Sequence, residues 1–204
     1  MIQAAAAPAL ILASASTARR AVLEGAGLRF ETRVAGVDEA AIKEAAQAEG
    51  IAAEDAALML ADAKAARVAA QAPDALVIGA DQLLVCEGAW FDKPPDMAAA
   101  RGHLQRLRGR QHELVTALVC HRGGQRIWQQ VAKPRLTMRE FSDAFLDAYL
   151  AAEGEALLSS VGAYRLEGHG AQLFDRIEGD QPAILGMPLL PLLGFLRQHG
   201  VLLR

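Results

Sequence analysis

Strand-like and helix-like segments alternate along the chain, judged from the spacing of its apolar and polar positions. Short apolar runs predict strands, and apolar positions that recur every three or four residues predict helices. The predicted strands are residues 8–13, 28–34, 75–86, 111–121 and 125–138. The predicted helices are residues 17–26, 40–50, 53–72, 95–108, 141–152 and 188–200. This alternation predicts an α/β fold in which a sheet is flanked by helices.

Turn and cap residues support these boundaries. Pro73 follows the third helix, Gly123 and Gly124 predict a hairpin turn, and Ser142 is a candidate N-cap. The glycine-rich stretch 162–179 shows no regular period. Because no internal repeat or linker interrupts the chain, we expect residues 1–204 to form one domain.

Composition narrows the class of protein. Of 204 residues, 52% are hydrophobic and 22% charged, which excludes a disordered chain. The net charge of −3 gives no basic footprint for nucleic acid or an anionic membrane, so we expect neither as a partner.

Two features bear on the cellular compartment. Cys86 and Cys120 are too few for a disulfide framework, and both lie in apolar runs that predict buried thiols. No Lys or Arg precedes Arg19, so the apolar N-terminal run lacks the basic segment of a secretory signal. We expect a cytoplasmic protein.

Asp81 stands where a core residue is expected, inside the apolar run 76–85. A buried carboxylate costs several kcal/mol unless it is paired with a cation. Asp81 is therefore a strand end in a polar crevice, a member of a structural salt bridge, or a metal ligand or general base.

Two lysines are also unusually placed. Lys64 lies on or beside the apolar stripe of a predicted helix, between Leu60 and Val68, where it either extends to solvent or serves a site. Lys93 precedes Pro94, which restricts its backbone to an extended conformation. Two oriented ammonium groups and a strand carboxylate are what a polyphosphate and its divalent cation require.

The turn after the first strand offers a possible phosphate cradle. Ser14 and Ser16 precede a predicted helix whose first turns carry Arg19 and Arg20. A helix N-terminus and guanidinium groups favour phosphate, although an ordinary serine N-cap followed by solvated arginines fits equally well. Asp38 and Glu39 follow the second strand and could be an acidic helix cap.

His112 opens the strand after Gly109 and fits a hydrogen-bonded turn residue better than a catalytic base. No histidine pair has the spacing of a zinc site.

Several segments, taken in order, resemble the motifs of the Maf family of nucleoside-triphosphate pyrophosphatases, across about residues 8 to 200. They are 10–16 (LILASAS) with Arg19, 37–39 (VDE), 60–65 (LADAKA), 79–82 (GADQ), 92–94 (DKP), 109–116 (GRQHELVT), 162–164 (GAY) with Glu167 and Gly168, 177–179 (IEG) and 186–189 (GMPL). The resemblance implies a Maf/inosine-triphosphatase-like fold: a twisted mixed sheet flanked by helices, in two lobes with a central cleft. It also implies a homodimer.

The resemblance further implies hydrolysis of a nucleoside triphosphate to the monophosphate and pyrophosphate with Mg²⁺ or Mn²⁺. In that scheme Ser14, Ser16 and Arg19 hold the substrate, and Glu39 and Asp81 flank a metal-activated water. Lys64 and Lys93 neutralise the leaving group. Whether Asp81 is the proton acceptor or only a metal ligand stays open.

Three positions bear on the substrate. Gln82 and Glu167 resemble the branch that acts on 7-methyl-GTP and other noncanonical or pyrimidine nucleotides, whereas the dTTP/UTP branch carries Thr and Gln at these positions. The 7-methyl-GTP branch usually carries Pro-Trp where this chain has Thr17-Ala18, so Ala18 removes a stacking surface and predicts reduced or altered base selectivity. The alternatives are a dTTP/UTP pyrophosphatase and a nucleotide-sensing regulator of septum formation.

Overall fold

The computed structural model describes residues 2–203, and within them the chain forms eight strands, seven α-helices and two 3₁₀ helices. The strands are β1 Leu10–Ala13, β2 Glu31–Thr32, β3 Leu76–Cys86, β4 Ala89–Phe91, β5 Gln111–Arg122, β6 Gln125–Ala132, β7 Arg135–Met138 and β8 Phe174–Glu178. The helices are α1 Thr17–Gly25, α2 Glu39–Ala48, α3 Ala53–Ala69, α4 Met97–Leu107, α5 Asp143–Glu153, α6 Gln181–Ile184 and α7 Leu189–Gln198. The 3₁₀ helices are Gly154–Ser159 and His169–Leu173.

The strands form one mixed sheet, in the order β2-β1-β3-β5-β7-β8, with β4 on β3 and β6 on β5. The β1 strand runs parallel to both β2 and β3, and the β5, β6, β7 and β8 pairings are antiparallel. The predicted mixed α/β fold with flanking helices is confirmed. No helix between residues 2 and 203 is both long and apolar enough to cross a bilayer.

The chain divides into two compact units. The first unit contains the residues up to Gln82, Val115–Ala132 and the residues from Asp180 onward. The second contains Leu83–Leu114 and Lys133–Gly179. Strands β3 and β5 each contribute residues to both units, since β3 passes from one to the other after Gln82 and β5 after Leu114.

The first unit is built around the parallel strands β1 and β3. Their apolar side chains form a core with α1 and α7, and this core includes Leu12, Leu23, Ile78, Leu192 and Leu196. The continuous burial of β1 explains its uninterrupted apolar sequence, since neither face of this strand meets solvent.

The second unit contains the antiparallel part of the sheet. The β7 strand pairs with the start of β5 and with β8, and β4 folds back on the end of β3. The α4 helix buries one face, formed by Ala100, Leu104 and Leu107, as its helical period predicts.

The structure corrects three predicted elements. The strand expected at 28–34 is reduced to Glu31–Thr32, because Gly27 and Leu28 donate backbone hydrogen bonds that close the end of α1. The strand expected at 125–138 is split after Ala132, where Pro134 has no N–H for a ladder. The glycine-rich stretch holds a 3₁₀ helix and the edge strand β8.

Candidate active site

A lysine shared by two carboxylates lies in the first unit. The Lys64 ammonium is 2.6 Å from Asp81 Oδ1 and 2.9 Å from Glu39 Oε1. The side chains of Lys64 and Asp81 are 10% and 5% exposed, and that of Glu39 is 46% exposed. The cluster therefore runs from a buried carboxylate through the ammonium group to a carboxylate that solvent reaches.

The close approach of α3 to β3 places Lys64 beside Asp81. A Cβ atom on Gly79 would lie 2.2 Å from the carbonyl oxygen of Ala61 and 2.8 Å from Cβ of Ala65. Only a residue without a side chain allows this packing. Gly79 thus brings the helix that carries Lys64 onto the strand that carries Asp81.

Glu39 owes its position to the start of α2. The carboxylate of Asp38 caps this helix by accepting a hydrogen bond from the amide of Ala41 at 3.0 Å. Glu39 is then the first helical residue, where the helix dipole favours a negative charge. The Asp38-Glu39 pair is thus an acidic cap and also supplies one member of the cluster.

The second oxygen of the buried Asp81 carboxylate is a candidate contact for a ligand. Asp81 Oδ2 is buried and has no hydrogen-bond partner in the part of the chain described. A buried acceptor without a partner costs about 1–3 kcal/mol, more when it is charged. Such an atom is suited to contact a cation or to accept a proton from a bound molecule.

The donor set fits a magnesium-type ion only in part. Among residues 2–203 no group of three or more His, Cys, Asp or Glu side chains is arranged to hold a metal. Mg²⁺ commonly uses only one or two protein carboxylates and completes its shell with water and substrate phosphate. Asp81, with its unpartnered oxygen, and Glu39 fit that second mode, in which the substrate supplies further ligands.

The serine-rich turn before α1 holds a guanidinium group. Ser16 caps the helix by accepting from the Arg19 amide at 3.3 Å, and Ser14 Oγ accepts from the Ser16 amide at 3.2 Å. Arg19 Nη1 donates to Ser14 Oγ and to the carbonyl of Ala80, and its Nε donates to the carbonyl of Gly186. Ala18 lies half-buried in the same first turn.

The two arginines of this turn differ. Arg20 pairs with Glu24 on the surface, as a solvated helix arginine would. Burial lowers the pKa of Arg19 from its ordinary value, and the nearby charges of Asp81 and Glu39 act in the opposite direction. Arg19 is therefore a fixed cation beside the Lys64 cluster. The alternative from the sequence, in which both arginines are solvated, is correct only for Arg20.

The side-chain amide of Gln82 is fixed by hydrogen bonds to other residues of the chain. Its Nε2 lies 2.7 Å from Thr116 Oγ1, 3.1 Å from the carbonyl of Ile184 and 3.3 Å from that of Ala183. Thr116 Oγ1 in turn donates to Ala183. From the sequence, Thr116 and Gly186 are only motif positions, and neither they nor residues 183–185 are predicted site residues. The carbonyl of Gly186 is also the acceptor for Arg19.

Lys93 and Glu167 belong to the second unit. Lys93 is exposed and follows β4. The side chain of Glu167 is 41% exposed, and its Oε1 lies 3.4 Å from Arg165 Nε. Of the predicted site residues, eight lie in the first unit: Ser14, Ser16, Ala18, Arg19, Glu39, Lys64, Asp81 and Gln82.

His112 is buried and lies against aromatic rings. Its Nε2 is 2.8 Å from the hydroxyl of Tyr164, and its ring lies near that of Phe174. Burial lowers the pKa of His112 to about 4. The predicted hydrogen-bonded role fits this geometry, although the partner is a core tyrosine and not a turn.

Comparisons with known proteins cover nearly the whole chain. Residues 9–199 match the family described as Maf-like protein. A nucleoside triphosphate pyrophosphatase of Granulibacter bethesdensis is 62% identical over 193 residues, which are 95% of this chain and 98% of that protein. A protein of the same name from Rhodospirillum rubrum is 52% identical over 196 residues, 96% of this chain and 97% of its own.

A 7-methyl-GTP pyrophosphatase of Rhizobium meliloti is 50% identical over 195 residues, 96% of this chain and 98% of that protein. The motifs that suggested the family therefore lie within a match of almost full length. The chain belongs to the Maf family.

Proposed function

We propose that this protein is a nucleoside-triphosphate pyrophosphatase, which hydrolyses the bond between the α- and β-phosphates. The observation that carries the proposal is the buried Asp81 carboxylate, which is held on one oxygen by Lys64 and unpartnered on the other. Relatives that are 50–62% identical carry the names nucleoside triphosphate pyrophosphatase and 7-methyl-GTP pyrophosphatase, which supports this class of reaction.

Water attacks the α-phosphorus, and the bond from that phosphorus to the bridging oxygen breaks. Pyrophosphate leaves with this oxygen, and the attacking water gives up its proton to Asp81 Oδ2 or, where that oxygen holds the ion, to solvent. Arg19 and the Ser14–Ser16 turn bind phosphate oxygens, and Lys64 compensates the charge that develops on the leaving group. Lys93 is proposed for the same compensating role on the strength of its family motif.

We propose Glu39 and Asp81 as the protein ligands of a divalent ion, Mg²⁺ or Mn²⁺. The bound ion would offset the negative charge of the phosphates. The same Asp81 oxygen serves either as base or as ligand, and the pH dependence of an Asp81→Asn variant with each ion distinguishes the two roles.

The proposed substrate class is 7-methyl-GTP and related modified nucleotides. Glu167 is an exposed carboxylate that can accept hydrogen bonds from the N–H edge of a guanine, and a cationic base favours it further. Gln82 contributes through the turn that it holds at 183–186. The alternative within the family is a dTTP/UTP pyrophosphatase.

The test is a panel of 7-methyl-GTP, GTP, UTP, CTP and dTTP with Mg²⁺ or Mn²⁺, scored by chromatography for the monophosphate and pyrophosphate. We expect pyrophosphate release with 7-methyl-GTP as the best substrate by kcat/KM, and a loss of at least a hundredfold in Asp81→Asn. Release of orthophosphate alone would overturn α–β cleavage, and a preference for dTTP would overturn the substrate class. Nucleotide binding without turnover would favour the regulator.

We further propose that the protein is a cytoplasmic homodimer. Cys86 and Cys120 are free and buried, which suits a reducing compartment. Light scattering coupled to size exclusion measures the oligomeric state, and a monomeric mass at micromolar concentration would contradict the dimer.

A further inference from the structure

A glutamate with a buried side chain, at the end of a helix, has no role in the chemistry described above. Glu153 is the last residue of α5, and its side chain is 5% exposed. Its Oε1 accepts a hydrogen bond from the His169 amide at 2.8 Å and lies 2.9 Å from His169 Nδ1. Its Oε2 lies 3.5 Å from Arg165 Nη1. These partners belong to one short segment, residues 165–169.

This position is unfavourable for a carboxylate. Removing the charge from water costs several kcal/mol, and the negative end of the helix dipole disfavours an anion at the C-terminus. Burial alone would raise the pKa of Glu153, yet the hydrogen bonds from His169 and the charge of Arg165 outweigh it and lower that pKa. The segment 165–169 therefore supplies the interactions that keep Glu153 ionised.

The segment is built to fit around this carboxylate. A Cβ atom on Gly168 would lie 2.7 Å from Glu153 Oε1, so the carboxylate occupies the space that a side chain would need. A Cβ atom on Gly170 would lie 2.3 Å from the carbonyl oxygen of Arg165. The Gly168 amide also donates to that carbonyl at 3.2 Å, which closes the segment into a tight turn.

One guanidinium group links the buried carboxylate to an exposed one. Arg165 faces Glu153 through Nη1 and Glu167 through Nε, at 3.5 and 3.4 Å. The planar guanidinium fixes the relative orientation of its two partners better than an ammonium group could. The Arg165 guanidinium thus lies between the two carboxylates and contacts both.

We propose that Glu153 and Arg165 are positioning residues that set the nucleobase selectivity of the enzyme by orienting Glu167. The inference rests on the proposed function, in which Glu167 accepts hydrogen bonds from the base. A fixed acceptor discriminates strongly because a base that lacks the matching donor leaves it unpaired, whereas a mobile carboxylate can turn to water.

The experiment compares Glu153→Gln with Glu155→Gln, which removes the same charge from an exposed position two residues away. In Glu153→Gln we expect KM for 7-methyl-GTP to rise about tenfold. The kcat for 7-methyl-GTP and the KM for UTP should both stay within about twofold of wild type. Arg165→Lys should behave in the same way, Glu153→Asp should recover part of the selectivity, and Glu155→Gln should match wild type.

Two further measurements separate positioning from a general loss of structure. Glu153→Gln combined with Glu167→Gln should be no less selective than Glu167→Gln alone, because both changes act through one contact. Hydrogen exchange of the His169 amide should be faster in Glu153→Gln and unchanged in Glu155→Gln.

The inference fails on its own if wild type releases pyrophosphate and Glu153→Gln keeps its selectivity, or loses activity equally on all nucleotides. A wild-type protein that releases no pyrophosphate from any nucleotide overturns the proposed function and this inference together. Faster exchange of the His169 amide without any change in selectivity would assign Glu153 a purely structural role.

Discussion

Lys64 pairs with two carboxylates at once. Removing Lys64 and removing one of its partners should therefore destabilise the protein by different amounts. Without Lys64, the buried Asp81 loses the ammonium group that faces it at 2.6 Å. Without Asp81, Lys64 still has Glu39 at 2.9 Å on the solvent side of the cluster. Removing one partner of a buried ion pair typically costs about 3–5 kcal/mol.

We therefore expect Lys64→Met to lower the free energy of unfolding by about 3 kcal/mol, and more than Asp81→Asn does. The double variant Lys64→Met/Asp81→Asn should recover part of the loss, because no buried charge is then left without a partner. Urea denaturation at pH 7 measures all three values. Arg20→Ala, at the exposed pair with Glu24, is the control and should leave the denaturation midpoint unchanged. Additive effects in the double variant would contradict the shared cluster.

His112 predicts a dependence of stability on pH. Burial lowers its pKa from 6.5 to about 4 in the folded protein. Below pH 6.5 the unfolded chain binds a proton that the folded protein rejects, so the free energy of unfolding falls as the pH drops from 6.5 towards 4. The full loss is on the order of 3 kcal/mol and is absent at neutral pH.

In His112→Gln this decline should be shallower, whatever the stability of the variant at pH 7. Urea denaturation at intervals between pH 7 and 4 gives the two slopes, and the other acid-sensitive groups contribute equally to both proteins. Parallel curves would contradict the lowered pKa, because they would mean that His112 binds its proton equally well in the folded and unfolded protein.

At the scale of elements, the contact between α3 and β3 is set by Gly79. A methyl group there would meet the carbonyl of Ala61 at 2.2 Å, so the helix must move away from the strand. Overpacking of this kind typically costs about 1–3 kcal/mol. The same movement draws Lys64 away from Asp81, which couples the packing of an element to the geometry of the candidate site.

Gly79→Ala is accordingly expected to lower kcat by tenfold or more at a temperature where the variant is fully folded. Gly102→Ala in α4 is the matched control, since nothing lies within 4 Å of its Cβ position. An alanine inside a helix is favoured over glycine by about 1 kcal/mol, so this control should gain stability and keep its activity. Steady-state kinetics with thermal melts measure both effects, and a Gly79→Ala enzyme of normal kcat would contradict the coupling.

At the scale of the whole molecule, each compact unit contains one buried free thiol. Cys120 lies in the first unit and Cys86 in the second. Burial raises the pKa of the Cys120 thiol, and burial together with the charge of Glu87 raises that of Cys86. Both thiols should therefore react slowly with a disulfide reagent while the protein is folded.

Because β3 and β5 run from one unit into the other, we expect both thiols to become reactive over one denaturant transition. Single-cysteine variants, Cys86→Ala and Cys120→Ala, report each unit separately in urea with a colorimetric thiol reagent. Transitions that differ by more than the error of the midpoint would show that the units unfold independently.

The sequence by itself determined the family, the alternation of strands and helices, and the residue types of the candidate site. These depend on local patterns: the period of apolar positions, serine and aspartate caps, and short motifs such as the one around Asp81. Such a pattern predicts Ser142 as an N-cap. The structure confirms it, because Ser142 Oγ accepts a hydrogen bond from the Phe145 amide at 3.2 Å. Where local signals compete, as at Gly27 and Leu28, the predicted strand was too long.

Only the tertiary structure decided which side chains share partners. Arg19 reaches the carbonyl of Gly186 across 167 positions of sequence, and Lys64 reaches Asp81 across 17. The unpartnered oxygen of Asp81 and the burial of Glu153 likewise follow from packing. The physical reason is that apolar periodicity fixes which face of an element is buried, while the distance between two elements depends on the side chains that separate them. Here one glycine, Gly79, sets that distance for α3 and β3.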